Sequence, residues 1–206
     1  MADELVFYTN PQSRGAMTHW MLEEIGCPYR IEVKQFGPEM KAPEYLAINP
    51  MGKVPAIKHG DTVITETGAI LCYLADAFPA AKLAPPVGQR GAYYRWLFFI
   101  AGPAEAAASD HATGWNPKPE EEARFGYGSY ERTINALEKA VAGRQYIAAD
   151  HFTAADLYVA SFLDFGMQFK IIEKRPAFET YVRPIVERPA AKRAQEKSQQ
   201  LMPKAA

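Results

Sequence analysis

Apolar residues follow two different rhythms along this chain, and the change between them falls near residue 80. Leu5–Tyr8 is a short apolar and aromatic run, the pattern of a buried strand, and Asn10-Pro11 breaks it. Met17, Trp20, Met21 and Ile25 then fall at i, i+3, i+4 and i+8, on one face of a helix. Gly26 and Pro28 stop that helix in the usual order. Tyr29, Ile31 and Val33 alternate with charged residues and predict a second strand. Val54–Lys58 and Thr62–Thr65 flank His59-Gly60-Asp61, a hairpin signal. Thr67–Phe78 returns to helical spacing, with Ile70, Leu74 and Phe78 on one side.

The predicted order is β-α-β, a loop region with a short helix at Pro43–Ala47, then β-β-α. That is a mixed sheet with one antiparallel hairpin, in the order of the thioredoxin fold. Residues 78–88 are rich in proline and small residues and read as a boundary. No strand pattern follows. Arg90–His111 reads as one long helix, kinked where Gly102-Pro103 removes a backbone donor. Tyr127, Tyr130, Ile134, Leu137 and Val141 form a helical stripe that ends at Gly143. Thr153-Ala-Ala-Asp156 is a capping-box pattern, which makes Asp156 a capping rather than a catalytic residue, and Phe152 a staple. Arg175-Pro176 opens another helix, in which Pro184 predicts a bend. Residues 199–206 are expected to fray. The chain therefore divides into an α+β domain (1–79), a linker (80–89) and an all-α helical bundle domain (90–206).

Composition narrows the function. Over 206 residues, 48% are hydrophobic and 23% charged, ordinary values for a globular chain. A net charge of -1 leaves no basic face for nucleic acid. The one basic cluster, Lys192, Arg193 and Lys197, is mixed with Glu196 and reads as a solvated helix face. No segment reaches the roughly 18 apolar residues of a membrane span. The first residues carry an acidic pair where a secretory leader carries positive charge, so a cytoplasmic location is expected. Cys27 and Cys72 make no disulfide framework, CxxC motif or metal pattern, so no metal is expected.

Three segments carry candidate chemistry. Tyr8–Gly15 is a strand-to-helix turn. A helix start offers unpaired N–H groups and partial positive charge, and both stabilise an anion such as a thiolate. Ser13 adds a hydroxyl donor there and Asn10 an amide donor, although both also form turns and caps readily. In Asn49–Pro55, Pro55 sits inside a strand signal, which a cis Val54–Pro55 bond explains. The Val54 N–H and C=O are then open to pair with a peptide backbone, with Lys53 nearby for a carboxylate. In Thr65–Ile70, Glu66 suits an ammonium group, and the Thr67 hydroxyl and N–H at a helix start suit a carboxylate. An amino-acid end carries both.

These three segments, in this order, resemble the glutathione transferase family, and the resemblance covers nearly the whole chain. Asn49–Pro55 matches the stretch N-P-x-G-K-V-P, which implies that Val54, before cis Pro55, pairs with the cysteinyl backbone of glutathione. Glu66-Thr67 matches the pair that holds the γ-glutamyl group. Lys53 and Lys41 match basic positions facing the glycyl carboxylate. The resemblance also covers the Phe152–Asp156 cap and Arg188-Pro189-Ala190. It implies a homodimer, with glutathione as co-substrate and no other cofactor. The first segment departs from the pattern. Ungapped alignment puts Asn10 at the activator position, whereas helix position favours Ser13. The turn has no Cys, which argues against glutaredoxin-like chemistry, and the Ser-Ser-Cys pattern of the maleylacetoacetate isomerases is absent.

The physics of activation closes with one donor. Lowering a thiol pKa of about 8.5 by two units takes roughly 2.7 kcal/mol. A hydrogen bond to a charged group supplies roughly 1.5–3 kcal/mol and a helix terminus roughly 0.3–1. The expected reaction joins the thiolate to a hydrophobic electrophile, for which Phe99, Pro103 and Trp115 are candidate walls. The alternatives are a non-catalytic binding or regulatory relative, or another glutathione-dependent enzyme such as a dehalogenase, an ether-cleaving enzyme or a peroxidase.

Overall fold

The computed structural model describes residues 3–202. Contacts divide the chain into two compact units. One runs to Ala81 and takes up the segment from Arg188 onward; the other is Lys82–Glu187.

The first unit is built on a four-stranded sheet in the order β2-β1-β3-β4. β1 (Leu5–Thr9) is central and lies parallel to β2 (Arg30–Val33). It runs antiparallel to β3 (Ala56–His59), which pairs antiparallel with β4 (Thr62–Thr65). Leu5, Val6 and Phe7 are all buried, as a strand covered on both faces requires. α1 (Gly15–Ile25) ends at Gly26, whose φ of 72° is the left-handed conformation that favours glycine. Between β2 and β3 lie two single turns, α2 (Pro38–Lys41) and α3 (Pro43–Leu46); the sequence pattern gave only the second. α4 (Thr67–Ala77) buries Ile70, Leu71 and Leu74 and packs against α1. This α+β arrangement is the expected thioredoxin-like one. β3 starts at Ala56 rather than Val54, after the cis Val54–Pro55 bond.

The second unit is built from helices and loops, with no strand among its described residues. α5 (Gly91–Phe99) passes through a wide π-turn at Ile100–Ala104 into α6 (Glu105–Ala112). Pro103 sits in that turn, so the irregularity falls where the missing donor predicts it. α7 (Tyr130–Val141) is capped by Ser129. It begins one turn later than its apolar stripe because Gly128, at φ 69°, breaks the backbone before the cap. Tyr127 therefore leaves the stripe, and its hydroxyl donates to Asp110 at 2.7 Å. α8 (Ala154–Gln168) is the central helix and packs on α9 (Pro176–Val186), which carries Pro184 inside it.

α10 (Pro189–Gln200) belongs by its contacts to the first unit, where it lies against α1. Residues 203–206 lie outside the described residues, so the expected fraying is reported only as far as α10, which is helical through Gln200. Of its side chains only Ala190 and Ala194 are buried, so polar contacts do most of the docking. Arg188 pairs with Glu24 at 2.7 and 2.9 Å. Arg193 and Lys197 reach Glu23, whose side chain is only 7% exposed, at 3.3 and 2.6 Å. Lys192, Arg193 and Lys197 are exposed, as the sequence reading of a solvated face expects. Two of them, Arg193 and Lys197, also answer a buried carboxylate on another helix, a long-range pairing that spacing along α10 does not reveal.

Candidate functional site

Register brings the three candidate segments together. Ala56 stands opposite Tyr8 on one side and opposite Thr65 on the other. The turn leaving β1, the residues entering β3 and the residues leaving β4 therefore emerge at one end of the sheet. Segments separated by about forty and fifty positions become neighbours through two ladders.

The turn after β1 is locked by Asn10. That residue is 3% exposed. Its Nδ2 donates to the Lys34 carbonyl at 2.9 Å, and its Oδ1 accepts from the Gln12 N–H at 3.0 Å. Each end of the amide thus makes one hydrogen bond that holds the turn. Ser13 is half-buried. Its hydroxyl donates to the Asn10 carbonyl at 2.7 Å and accepts from the Gly15 N–H at 3.0 Å. Gly15 is required by close approach, since a Cβ there would stand 2.0 Å from the Thr9 hydroxyl.

The second segment is held from beneath. Asn49 and Tyr45 both donate to the Lys53 carbonyl at 2.7 Å, and Asn49 Oδ1 accepts from the Met51 N–H at 3.1 Å. Lys41 Nζ donates to the Met51 and Gly52 carbonyls at 3.1 and 3.2 Å. Gly52, at φ 57°, has no room for a Cβ, which would fall 2.4 Å from the Met40 carbonyl. Lys41 thus braces the loop. Lys53 is exposed, and Pro55 is buried beside half-buried Val54. Among the described residues no hydrogen bond engages the N–H or C=O of Val54.

Glu66 caps the start of α4 with φ 69° and ψ 121°, a sparsely populated conformation for a residue with a side chain. It is exposed, while Thr67 is buried at 8%. Among the described residues neither the Glu66 carboxylate nor the Thr67 hydroxyl has a partner. A strained acid and an open hydroxyl at a helix start suit a zwitterionic amino-acid end.

Three neighbours were missed in the sequence. The Tyr8 and Tyr45 rings meet at 5.9 Å, and Lys34 Nζ lies 5.9 Å from each ring centroid. Burial, then Glu32, pushes the Tyr8 phenol up, and burial pushes Tyr45 up to about 12. Both phenols therefore stay neutral donors at neutral pH. In the sequence Tyr8 closes the apolar strand run and opens the candidate turn segment, without a role of its own. Its place at the head of the candidate turn segment was the available signal.

The electrophile candidates lie in the second unit. Phe99 and Pro103 sit one turn apart on α5 and its π-turn, and Phe99 meets Trp96 edge-on at 5.4 Å. Trp115 is 44% exposed and packs edge-on against Phe125 at 5.1 Å. The structure thus brings Phe99 and Pro103 onto one helical stretch and gives Trp115 a different ring partner. Cys27 and Cys72 form no disulfide and are half-buried, with burial pushing the Cys27 thiol up. Among the described residues no group of three metal-ligating side chains occurs. No helix of these is long and apolar enough to cross a membrane.

Known proteins resemble this chain in sequence and in fold. Residues 4–76 match the model of the glutathione S-transferase N-terminal domain, and residues 92–189 that of the C-terminal domain. The chain is 30% identical over 155 residues to glutathione S-transferase GstA of Escherichia coli O157:H7, spanning 71% of this chain and 74% of that protein. It is 31% identical over 156 residues to glutathione S-transferase 1 of Schizosaccharomyces pombe, spanning 70% and 67%. The crystal structure of a glutathione transferase from Methylococcus capsulatus matches at a TM-score of 0.77 and 29% identity, covering 95% of this chain and 99% of that one. A sphingomonad glutathione S-transferase complexed with glutathione matches at 0.74 and 26% identity, covering 94% and 98%.

Proposed function

Since the chain belongs to the glutathione S-transferase family, we propose that it binds glutathione at this end of the sheet and transfers its thiolate to a hydrophobic electrophile. The observation that carries the reading is the set of unpartnered groups there: the Val54 backbone, the Glu66 carboxylate and the Thr67 hydroxyl. Val54 pairs with the cysteinyl backbone as an added strand does. Glu66 receives the γ-glutamyl ammonium, and the Thr67 hydroxyl with the α4 terminus receives its carboxylate. Lys53 supplies a point charge for the glycyl carboxylate.

Ser13 is the better activator of the two candidates. The Asn10 amide is buried and already anchors the turn. The Ser13 hydroxyl is half-exposed and rotates about one bond. If it turns from the Asn10 carbonyl to the sulfur, that carbonyl keeps the Ser13 N–H at 3.1 Å. The rotation therefore leaves no orphaned acceptor. The Gly15 N–H, donating to Ser13 Oγ, polarises the hydroxyl toward the thiolate. The electrophile then meets the thiolate held at this end of the sheet.

The test is a titration of bound glutathione, read from thiolate absorbance. Ser13→Ala is expected to raise the thiol pKa by about 1–2 units, the loss of one charged hydrogen bond. An unchanged pKa overturns the assignment of Ser13. A second reading follows from the present engagement of the Ser13 donor with Asn10: a relative that holds glutathione without activating it. Retention on immobilised glutathione with no turnover of a reactive aryl halide favours that reading.

A further inference from the structure

Two cavities open in the helical unit. The larger, of about 570 Å³ between α8 and α9, is lined by Lys174 and Arg183 but also by Asp164 and Glu179, so its charges answer one another. The smaller, of about 340 Å³, lies between the start of α5 and the end of α7 and is not balanced in this way. Arg95 and Arg144 line it, and no carboxylate does. Neither guanidinium has an ion pair among the described residues. The rest of the wall includes Ala92, Trp96, Ala140 and Ile147, an apolar and aromatic floor. The Arg95 guanidinium stacks over the Trp96 ring, with Cζ 4.6 Å from its centroid. That contact holds the guanidinium beside the aromatic part of the floor.

Two like charges facing one small cavity repel each other, and solvent relieves this only in part. An anion between them removes the repulsion and gains charge-assisted hydrogen bonds, which are the strong ones. The volume falls at the low end of the roughly 300–1,000 Å³ range of small-molecule sites, which sets the ligand at about one or two fused rings. We propose that the cleft between α5 and α7, where Arg95 and Arg144 face an apolar floor containing Trp96, is a binding site for a small ring-bearing carboxylate. The carboxylate lies against the guanidinium groups, and the ring lies on Ala92, Ala140 and Ile147. None of these residues belongs to the proposed glutathione site, so the inference stands or falls independently of it.

The experiment uses the whole chain saturated with S-hexylglutathione, so that the glutathione end of the sheet is already filled. 2-Naphthoate is titrated in by calorimetry, and the neutral 2-naphthamide serves as control. The expected result is saturable binding of one 2-naphthoate per chain, at least about tenfold tighter than the amide. Arg95→Gln and Arg144→Gln are each expected to weaken it about tenfold, with glutathione retention and the thermal transition unchanged. Equal affinity in the double variant overturns the site. So does equal binding of the amide, competition with S-hexylglutathione, or the lack of saturable binding at millimolar 2-naphthoate.

Discussion

Two helix starts in this molecule use the same side-chain chemistry to opposite ends. At α8, Thr153 and Asp156 form a closed capping box. The Asp156 carboxylate is fully buried and accepts from four donors, at 2.7–2.8 Å: the Ile147 and Thr153 N–H groups and the Thr153 and Tyr181 hydroxyls. Burial pushes that carboxyl up, against the pull of those hydrogen bonds. At α4, Glu66 and Thr67 again pair an acid with a hydroxyl, but the acid is exposed, strained and unpartnered. The first cap spends all of its hydrogen-bonding capacity on the fold. The second keeps it open and accepts backbone strain as well. Residue type alone does not separate structure from function here. What separates them is whether the polar groups are satisfied.

Substitutions sharpen the contrast by moving stability and binding in different directions. The largest effect is expected at Asp156. Asp156→Ala strands four buried donors and should cost about 3–5 kcal/mol, read by chemical denaturation, because breaking a buried charged network leaves the survivors unpaired. At the other cap, Glu66→Gly should do the reverse. Relief of roughly 1–3 kcal/mol of strain, less roughly 0.5–1 for glycine's chain entropy, predicts a net stabilisation of about 1 kcal/mol. Glutathione affinity should fall at least about tenfold, since one charged hydrogen bond is worth roughly 1.5–3 kcal/mol. A Glu66→Gly variant that keeps its affinity removes Glu66 from the site.

The smallest effect concerns pH and the docking of α10. His19 is 1% exposed and hydrogen-bonds Ser198 at 2.7 Å and the Tyr29 hydroxyl at 3.0 Å. Burial first of all holds its pKa below the usual value, with Lys197 adding to this against Glu23. Burial raises the Glu23 carboxyl, but hydrogen bonds from Lys197 and Tyr29 outweigh it, and the net shift is downward. Both groups bind protons more readily in the unfolded chain. Stability is therefore expected to be full above pH of about 6.5, to fall below it as the unfolded histidine charges, and to fall further below about 4.5. Thermal melts between pH 7.5 and 5 test this. His19→Gln should flatten the upper part of the curve, and an unchanged slope would exclude His19 as its source.

Much of this was legible in the sequence because it is local. The hydrophobic periods of α1, α4, α7 and β1 depend on neighbours within a turn or two, as does the stop at Gly26. The Thr153–Asp156 box spans three residues and was read as a cap, as observed. The glutathione segments were found singly from turn and cap chemistry, and jointly from their order. Asn10 was harder. An amide in a helix-entry turn reads equally as donor to a ligand and as donor to the chain, and its bond to the Lys34 carbonyl, 24 positions away, is not visible in local sequence. Tyr127 was misplaced because the apolar stripe outran the glycine that ends it.

The sequence by itself determined the elements, the order of an α+β half and a helical half, and the residue types at the candidate site. Each rests on short-range sterics and on a periodicity that one segment contains in full. Tertiary structure alone decided which polar groups are already spent. Two ladders through Ala56 bring three distant segments to one end of the sheet. A 2.9 Å bond from Asn10 to the Lys34 carbonyl anchors the turn, within which the Ser13 hydroxyl donates to the Asn10 carbonyl. A helix with a polar sequence reaches back to Glu23 and Glu24. These outcomes depend on partners far along the chain. A sequence states what a side chain can donate or accept, and only the fold states what remains available.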